Sequence, residues 1–324
     1  MLSKEYELKL IKYSSTEQFR NIIKEVKFKY KGEQLPTLVF TGTTKIHGTN
    51  ASVVVKANGE QYCQSRNNIL TLDQDNMGFA IWHSSKTSTF KEFAKLFTEG
   101  ADDDVVFYGE WAGKGIQNGV AVSELNRFFY IFAVALVNGD SCLWFNSYPT
   151  LSNGVDIFDA NQFSKYKIVI DFNNPELSQN KLVELTEAVE KECPVGKALG
   201  VSGVGEGIVW KHIDKACSCI KFKVKGQEHT SSKVKKLAEV DVEKLNSITE
   251  FIEYAVTTNR LEQAFTEVCN NNPDRKLLGQ FIKWVSADVL KEELDTLESN
   301  GLTRKDIGGP LSSKAKAWFF DKES

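Results

Sequence analysis

From residue 35 to 225 the chain is dominated by short apolar, β-branched runs broken by turn residues, the pattern of strands with short helices between them. Leu38 to Phe40 and Val53 to Val55 flank a polar loop, and Ala51 to Lys56 and Gln61 to Ser65 flank Asn58-Gly59. Asn-Gly between alternating runs predicts a hairpin, because both residues tolerate the positive φ of a tight turn. Arg66 ends that second strand. Val105 to Glu110 predicts another strand, entered by an acidic turn at Ala101-Asp102-Asp103-Asp104. Phe128 to Val137 and Ser141 to Phe145 form a hairpin around Asn138-Gly139, and Glu206 to Lys211 with Ala216 to Val224 form a strand pair around His212 to Lys215.

Helical period appears elsewhere. Ser14-Ser15-Thr16-Glu17 has capping-box spacing ahead of Phe19, Ile22, Ile23 and Val26, which predicts a first helix leading into the sheet. Met77 to Gly100 predicts one helix with Phe90, Phe93, Leu96 and Phe97 on a single face, and Leu182, Leu185 and Val189 mark another. The character changes near Lys233. Ser247-Ile248-Thr249-Glu250 repeats the capping-box spacing, and Ile248, Ile252 and Ala255, then Leu261, Phe265 and Val268, then Leu278, Ile282 and Val285 follow helical period. The expected division is a sheet domain over residues 1–236 and a helical domain over 237–324.

Composition is that of an ordinary globular protein with a real core: 324 residues, 41% apolar and 26% charged, with a formal charge of −3. The charge is uneven, since eight lysines lie between Lys211 and Lys236 against Asp214 and Glu228, so a polyanion site is expected to be local. The six cysteines are scattered without metal-ligand spacing, and Cys217-Ser218-Cys219 places two thiols on one strand face as packing. No signal segment and no long apolar window is present, so a soluble, cytoplasmic protein that engages no membrane is expected, in the host cytoplasm if the gene is viral.

The stretch that carries chemistry is Thr43-Thr44-Lys45-Ile46-His47-Gly48-Thr49-Asn50, a lysine on a strand-loop-strand. An amine attacks an electrophile once it has shed its proton. Gly48, three residues on, lets backbone approach a phosphate closely because it has no Cβ to collide with it. Further along, Lys221-Phe222-Lys223 puts two ammonium groups on one face of a strand, where they can neutralise a phosphate and repel a proton from a neighbouring amine.

Lys45-Ile46-His47-Gly48-Thr49-Asn50 resembles the nucleotidyl-acceptor motif of the covalent nucleotidyltransferases, and in detail that of the double-strand-joining, phage-type RNA ligase 2 family. DNA ligases usually carry Asp and Arg where this chain has His47 and Asn50. Tyr108-Gly109-Glu110-Trp111, Phe128 to Phe132, Glu206 to Val209 and Lys221 to Lys223 resemble the family's later motifs, and Tyr254 to Arg260 is similar to its C-terminal domain. The resemblance implies an α+β fold: an antiparallel-sheet, ATP-grasp-like ligase domain followed by a small all-α domain for nucleic-acid engagement.

It also implies roles. Lys45 would accept AMP from ATP; Thr44, Ile46 and Asn50 would line the nucleotide site; Glu110 would bind the ribose and Phe132 would stack on adenine. Glu206 would hold a Mg²⁺ or Mn²⁺ hydration shell or orient Lys45, and Lys221 and Lys223 would meet the α-phosphate. Arg66 would contact nucleic-acid ends, and His47 and Asn50 the leaving pyrophosphate or the phosphate being joined. Basic tail residues such as Arg260, Arg275 and Lys276 would add phosphate contacts. Family members often carry Glu before the lysine and an acid after the aromatic motif, where this chain has Thr44 and Ala133.

The implied activity is ATP-dependent joining of a 3′-hydroxyl and a 5′-phosphate in duplex or nicked RNA, or an RNA/DNA hybrid, by a monomer. The alternatives are a DNA nick ligase of the same superfamily and a GTP-dependent capping enzyme, against both of which the helical tail argues, and a non-catalytic RNA-binding protein on this fold.

Overall fold

The computed structural model describes residues 8–30, 35–98, 103–145, 147–163, 165–213, 219–226 and 248–323. Cys217, Ser247, part of the acidic turn and the expected 236/237 boundary lie outside them. The chain divides into two compact units, Met1–Val224 and Lys225–Ser324.

In the first unit β1 (Glu17–Gln18) and α1 (Phe19–Lys29) precede β2 (Thr37–Lys45), β3 (Thr49–Val55), β4 (Gln61–Ser65) and β5 (Ile69–Leu70). Two short helices, α2 (Phe79–Ser84) and α3 (Thr87–Lys95), lead to β6 (Asp104–Ala112), β7 (Phe128–Asn138), β8 (Ser141–Trp144) and β9 (Ile157–Asp159). Then come β10 (Tyr166–Asp171), α4 (Glu176–Lys191), α5 (Pro194–Ala198), β11 (Gly207–Ile213) and β12 (Cys219–Lys225).

They form a 5-stranded sheet in the order β1-β12-β11-β2-β10 and a 7-stranded sheet in the order β5-β4-β3-β6-β7-β8, with β9 on β7. The pairings whose register is described are antiparallel apart from β1 on β12 and β9 on β7. The smaller sheet buries Phe40, Ile170, Ile208, Trp210 and Phe222 against Ile22 and Val26 of α1 and Leu182 and Val189 of α4. The larger buries Val53, Phe107, Phe129 and Ile131 against Phe79 of α2 and Phe90 of α3. Each buried Phe of this kind contributes about 1.5–3 kcal/mol.

Two local expectations are corrected. The Ser14 capping box does not form: Gln18 is the N-cap of α1 and makes no side-chain cap. Glu17 instead accepts from Ser15 and Asn21, while Glu17 and Gln18 pair with Phe222 and Lys223. The single helix from Met77 to Gly100 is two helices. Left-handed Met77 and Gly78 delay its start to Phe79, and Ser84 and Ser85 turn their hydroxyls onto the carbonyls of Ile81 and Trp82 at the break.

An N-terminal strap crosses the other face of the larger sheet. Ile11 exchanges hydrogen bonds with the Gln64 carboxamide, Tyr62 donates to the Lys9 carbonyl at 2.7 Å, and Ile11 and Tyr13 pack on a cluster containing Val54, Val106 and Tyr108.

The second unit is helical: α6 (Ile248–Ala255), α7 (Thr258–Cys269), α8 (Leu278–Ser299) and α9 (Arg304–Glu323). Phe251, Leu261, Phe265, Phe281, Val285, Leu311 and Phe319 are among its core residues. Arg260 corrects a further expectation. It is 0% exposed, donating to Asp288 at 2.8 Å, to Glu293 at 3.4 Å and to the Ala255 carbonyl. It therefore stays inside the bundle, whereas Arg275 and Lys276 are exposed. Among the described residues no helix is long and apolar enough to cross a membrane.

Candidate active site

β2 runs from the buried Phe40 to its last residue, Lys45, which lies opposite Gly207 of β11. That register brings Glu206, the residue before β11, against the lysine. Lys45 Nζ is 2.6 Å from Glu206 Oε2, and His47 Nδ1 is 3.5 Å from the same oxygen. The Glu206 side chain is 1% exposed and that of Lys45 21% exposed, so a cation reachable from solvent rests on a buried carboxylate. A charge-assisted hydrogen bond in such surroundings is worth about 1.5–3 kcal/mol.

The loop after Lys45 is fixed from several sides. Ile46 is buried with Ala112, Tyr130 and Val195. The Gly48 N–H donates to Glu110 Oε1 at 3.2 Å, and any Cβ at Gly48 would run into the Trp111 carbonyl. Asn50 pairs with Glu110 across β3 and β6, so the Lys45 loop and the carboxylate share one register. Two residues that the sequence pattern did not single out also hold this loop: Gln117 Nε2 lies 3.5 Å from the Gly48 carbonyl, and Asn76 Nδ2 donates to Thr49 Oγ1 at 3.1 Å. Both are neutral amides in irregular loop segments, and neither periodicity nor charge distinguishes such residues.

Other predicted site residues take separate places. Thr44 is buried beside Lys45, its carbonyl 3.5 Å from the Tyr130 hydroxyl. Arg66 is exposed just beyond β4. Phe132 is half-buried, and Tyr13 of the strap meets its ring edge-on at 5.1 Å. Lys223 is half-buried on β12 opposite Gln18.

Lys221 is engaged by the N-terminal strap. Its amine donates to Ser14 Oγ at 2.6 Å and sits 3.4 Å over the Tyr13 ring. Burial pushes it down to about 8; the Cys219 and Cys142 thiols oppose that shift and Lys211 adds to it. Lys211, another residue not singled out, donates to the Phe132 carbonyl at 2.6 Å, and burial pushes it down to about 8 as well.

Among the described residues no cluster of three His, Cys, Asp or Glu side chains could hold a metal ion by itself. The donor set at Lys45 can carry a nucleophile, a proton acceptor within reach of it and an imidazole beside both.

Comparison with known proteins supplies the family. A family model described as RNA ligase matches residues 39–235, more than half of the chain. The protein belongs to the RNA ligase family. Among solved structures it is similar to an RNA ligase of Naegleria gruberi with PPi, at 17% identity and a TM-score of 0.44 over 67% of this chain and 56% of that one. A mutant of that enzyme with ATP and Mn matches at 18% identity and a TM-score of 0.44, and another with AMP and Mn at 15% and 0.43. The chain thus spans 56% of the first of these structures. No curated protein matches it.

Proposed function

We propose that the protein is an ATP-dependent RNA ligase that seals a 3′-hydroxyl to a 5′-phosphate held in a duplex, with Lys45 as the nucleotidyl acceptor. The observation that carries this reading is the contact of Lys45 Nζ with buried Glu206 at 2.6 Å, with His47 alongside, in a chain of the RNA ligase family.

In the first step Lys45 Nζ attacks the α-phosphorus of ATP, the P–N bond forms, and pyrophosphate leaves with the electrons of the broken P–O bond. Glu206 Oε2 is close enough to take the proton that the amine gives up. His47 faces the departing pyrophosphate, Glu110 takes the ribose, Phe132 stacks on the base, and Lys223 balances charge on the α-phosphate. AMP then passes to a 5′-phosphate, and the 3′-hydroxyl displaces it. Arg66 and Asn50 place the ends being joined.

A divalent cation fits this donor set only as an ion held through water by Glu206 and by the phosphates of ATP, which suits Mg²⁺ or Mn²⁺. When bound it would neutralise phosphate charge as the P–O bond breaks. In this reading Met1–Val224 contains the nucleotide site and the helical unit engages the duplex, with exposed Arg275 and Lys276 among its phosphate contacts.

The test is sealing of matched duplex nicks that differ only in ribose or deoxyribose on the 3′-hydroxyl side. A ligase that reads the 2′-hydroxyl requires ribose there and tolerates DNA on the 5′-phosphate side. Equal rates on an all-DNA nick would favour a DNA ligase, and no sealing of any nick a binding protein.

A further inference from the structure

A second pair of lysines lies further along the same strands from Lys45. Lys211 sits opposite Thr41, and Lys45 opposite Gly207. Four residues of strand span about 13 Å, which places the Lys211 end at the base of a nucleotide whose α-phosphate meets Lys45. Lys221 shares that end, because both amines lie over the Tyr13 ring, Lys221 at 3.4 Å and Lys211 at 5.9 Å.

The donors there outnumber the acceptors. An ammonium has three N–H groups. Among the described residues, Lys211 gives one to the Phe132 carbonyl, and its remaining contacts are the ring faces of Phe132, at 5.2 Å, and Tyr13. The carboxylate of Asp159, whose charge Lys211 feels, accepts from the backbone N–H groups of Leu151 and Asn161. At position 133, directly after the stacking ring, stands Ala. A purine with a 6-oxo group brings an acceptor to such donors, whereas the 6-amino group of adenine brings hydrogens and leaves only ring nitrogens to accept.

We propose that Lys211, steadied by Tyr13 and with Lys221 beside it, reads the edge of a purine stacked on Phe132, so that the site takes GTP as a covalent donor as well as ATP. The proposal rests on Lys45 being the nucleotidyl acceptor. The step balances as it does for ATP: Lys45 Nζ bonds to the α-phosphorus, the bond to the bridging oxygen breaks, pyrophosphate leaves, and the amine proton passes to Glu206.

The test is single-turnover labelling of the full chain with α-labelled ATP or GTP, for wild type, Lys211→Met and Lys211→Arg. Wild type should label with GTP at no less than about a tenth of its ATP rate, and Lys211→Met should lose about tenfold more GTP than ATP labelling, with Arg restoring part of it. Label from ATP alone, or equal loss of both in Lys211→Met, overturns the proposal. No label from either nucleotide overturns the acceptor role of Lys45 and this proposal with it. Wild type provides a second readout that needs no variant. Inosine triphosphate, 6-oxo without the 2-amino group, should behave as GTP does, and faster labelling by 2,6-diaminopurine triphosphate than by inosine triphosphate would overturn the assignment.

Discussion

Gly48→Ala is the smallest change that should disable the acceptor loop. The added Cβ would fall within the Trp111 carbonyl and stand 3.0 Å from both Ala112 Cβ and Glu110 Cγ. Trp111 is 1% exposed and Ala112 0%, so neither can withdraw, and the loop must move. Relief to ordinary contact needs a shift on the order of 1 Å, and a misplacement of that size costs about a hundredfold in rate. The shift also pulls the Gly48 N–H from Glu110. Overpacking adds about 1–3 kcal/mol of destabilisation, which lowers Tm by about 2–4 °C per kcal/mol in a unit of this size.

The assay is single-turnover lysyl-AMP formation alongside thermal melting. Gly279→Ala in α8, whose Cβ meets nothing within 4 Å, is the control and should leave labelling unchanged. A Gly48→Ala protein that labels within about twofold of wild type at the same Tm would show that close approach to Trp111 does not set the position of Lys45.

Glu206→Gln removes the charge 2.6 Å from Lys45 and should slow labelling by about ten- to a hundredfold, from a loss of about 1.5–3 kcal/mol; an unchanged rate would exclude Glu206 as the partner and proton acceptor of the lysine. Arg260→Leu leaves Asp288 and Glu293 without their guanidinium and should destabilise the helical unit by about 3–5 kcal/mol in denaturant; weaker RNA binding at unchanged stability would return Arg260 to a phosphate-contact role. Lys221 is held down to about 8 from 10.5, so the unfolded chain binds more protons between those values and wild type gains stability as pH rises through that window. Measured against Lys221→Met, which removes this lysine while keeping Cys219, Cys142 and Lys211 in place, the difference should move in favour of wild type from pH 8 to 10; movement the other way would mean that burial does not penalise the ammonium.

Much of the sheet unit is legible in the sequence because its information is local. Asn58-Gly59 and Asn138-Gly139 mark hairpins whose glycines adopt φ of 85° and 60°, and the runs beside them became β3, β4, β7 and β8. The family resemblance is legible for the same reason, since the motif Lys45 to Asn50 is six consecutive residues. What escaped depends on contacts far apart in sequence. Lys221 and Ser14 are separated by 207 residues, so alternation placed the lysine on a face but could not say which partner held its amine. Arg260 reads as a surface cation because the carboxylates that bury it lie on another helix. The last helix escaped because Gly308-Gly309-Pro310 looks like a breaker, yet Leu311, Ala315 and Phe319 bury deeply enough to carry α9 through it.

Incubation of the full chain with α-labelled ATP and a divalent cation, followed by mapping of the labelled peptide, tests the central claim most directly. The label should sit as AMP on the Lys45 amine and be absent from Lys45→Ala and from Lys45→Arg, whose guanidinium offers no neutral amine at a pKa above about 12. AMP mapped to another residue, or label that persists in Lys45→Ala, would contradict it.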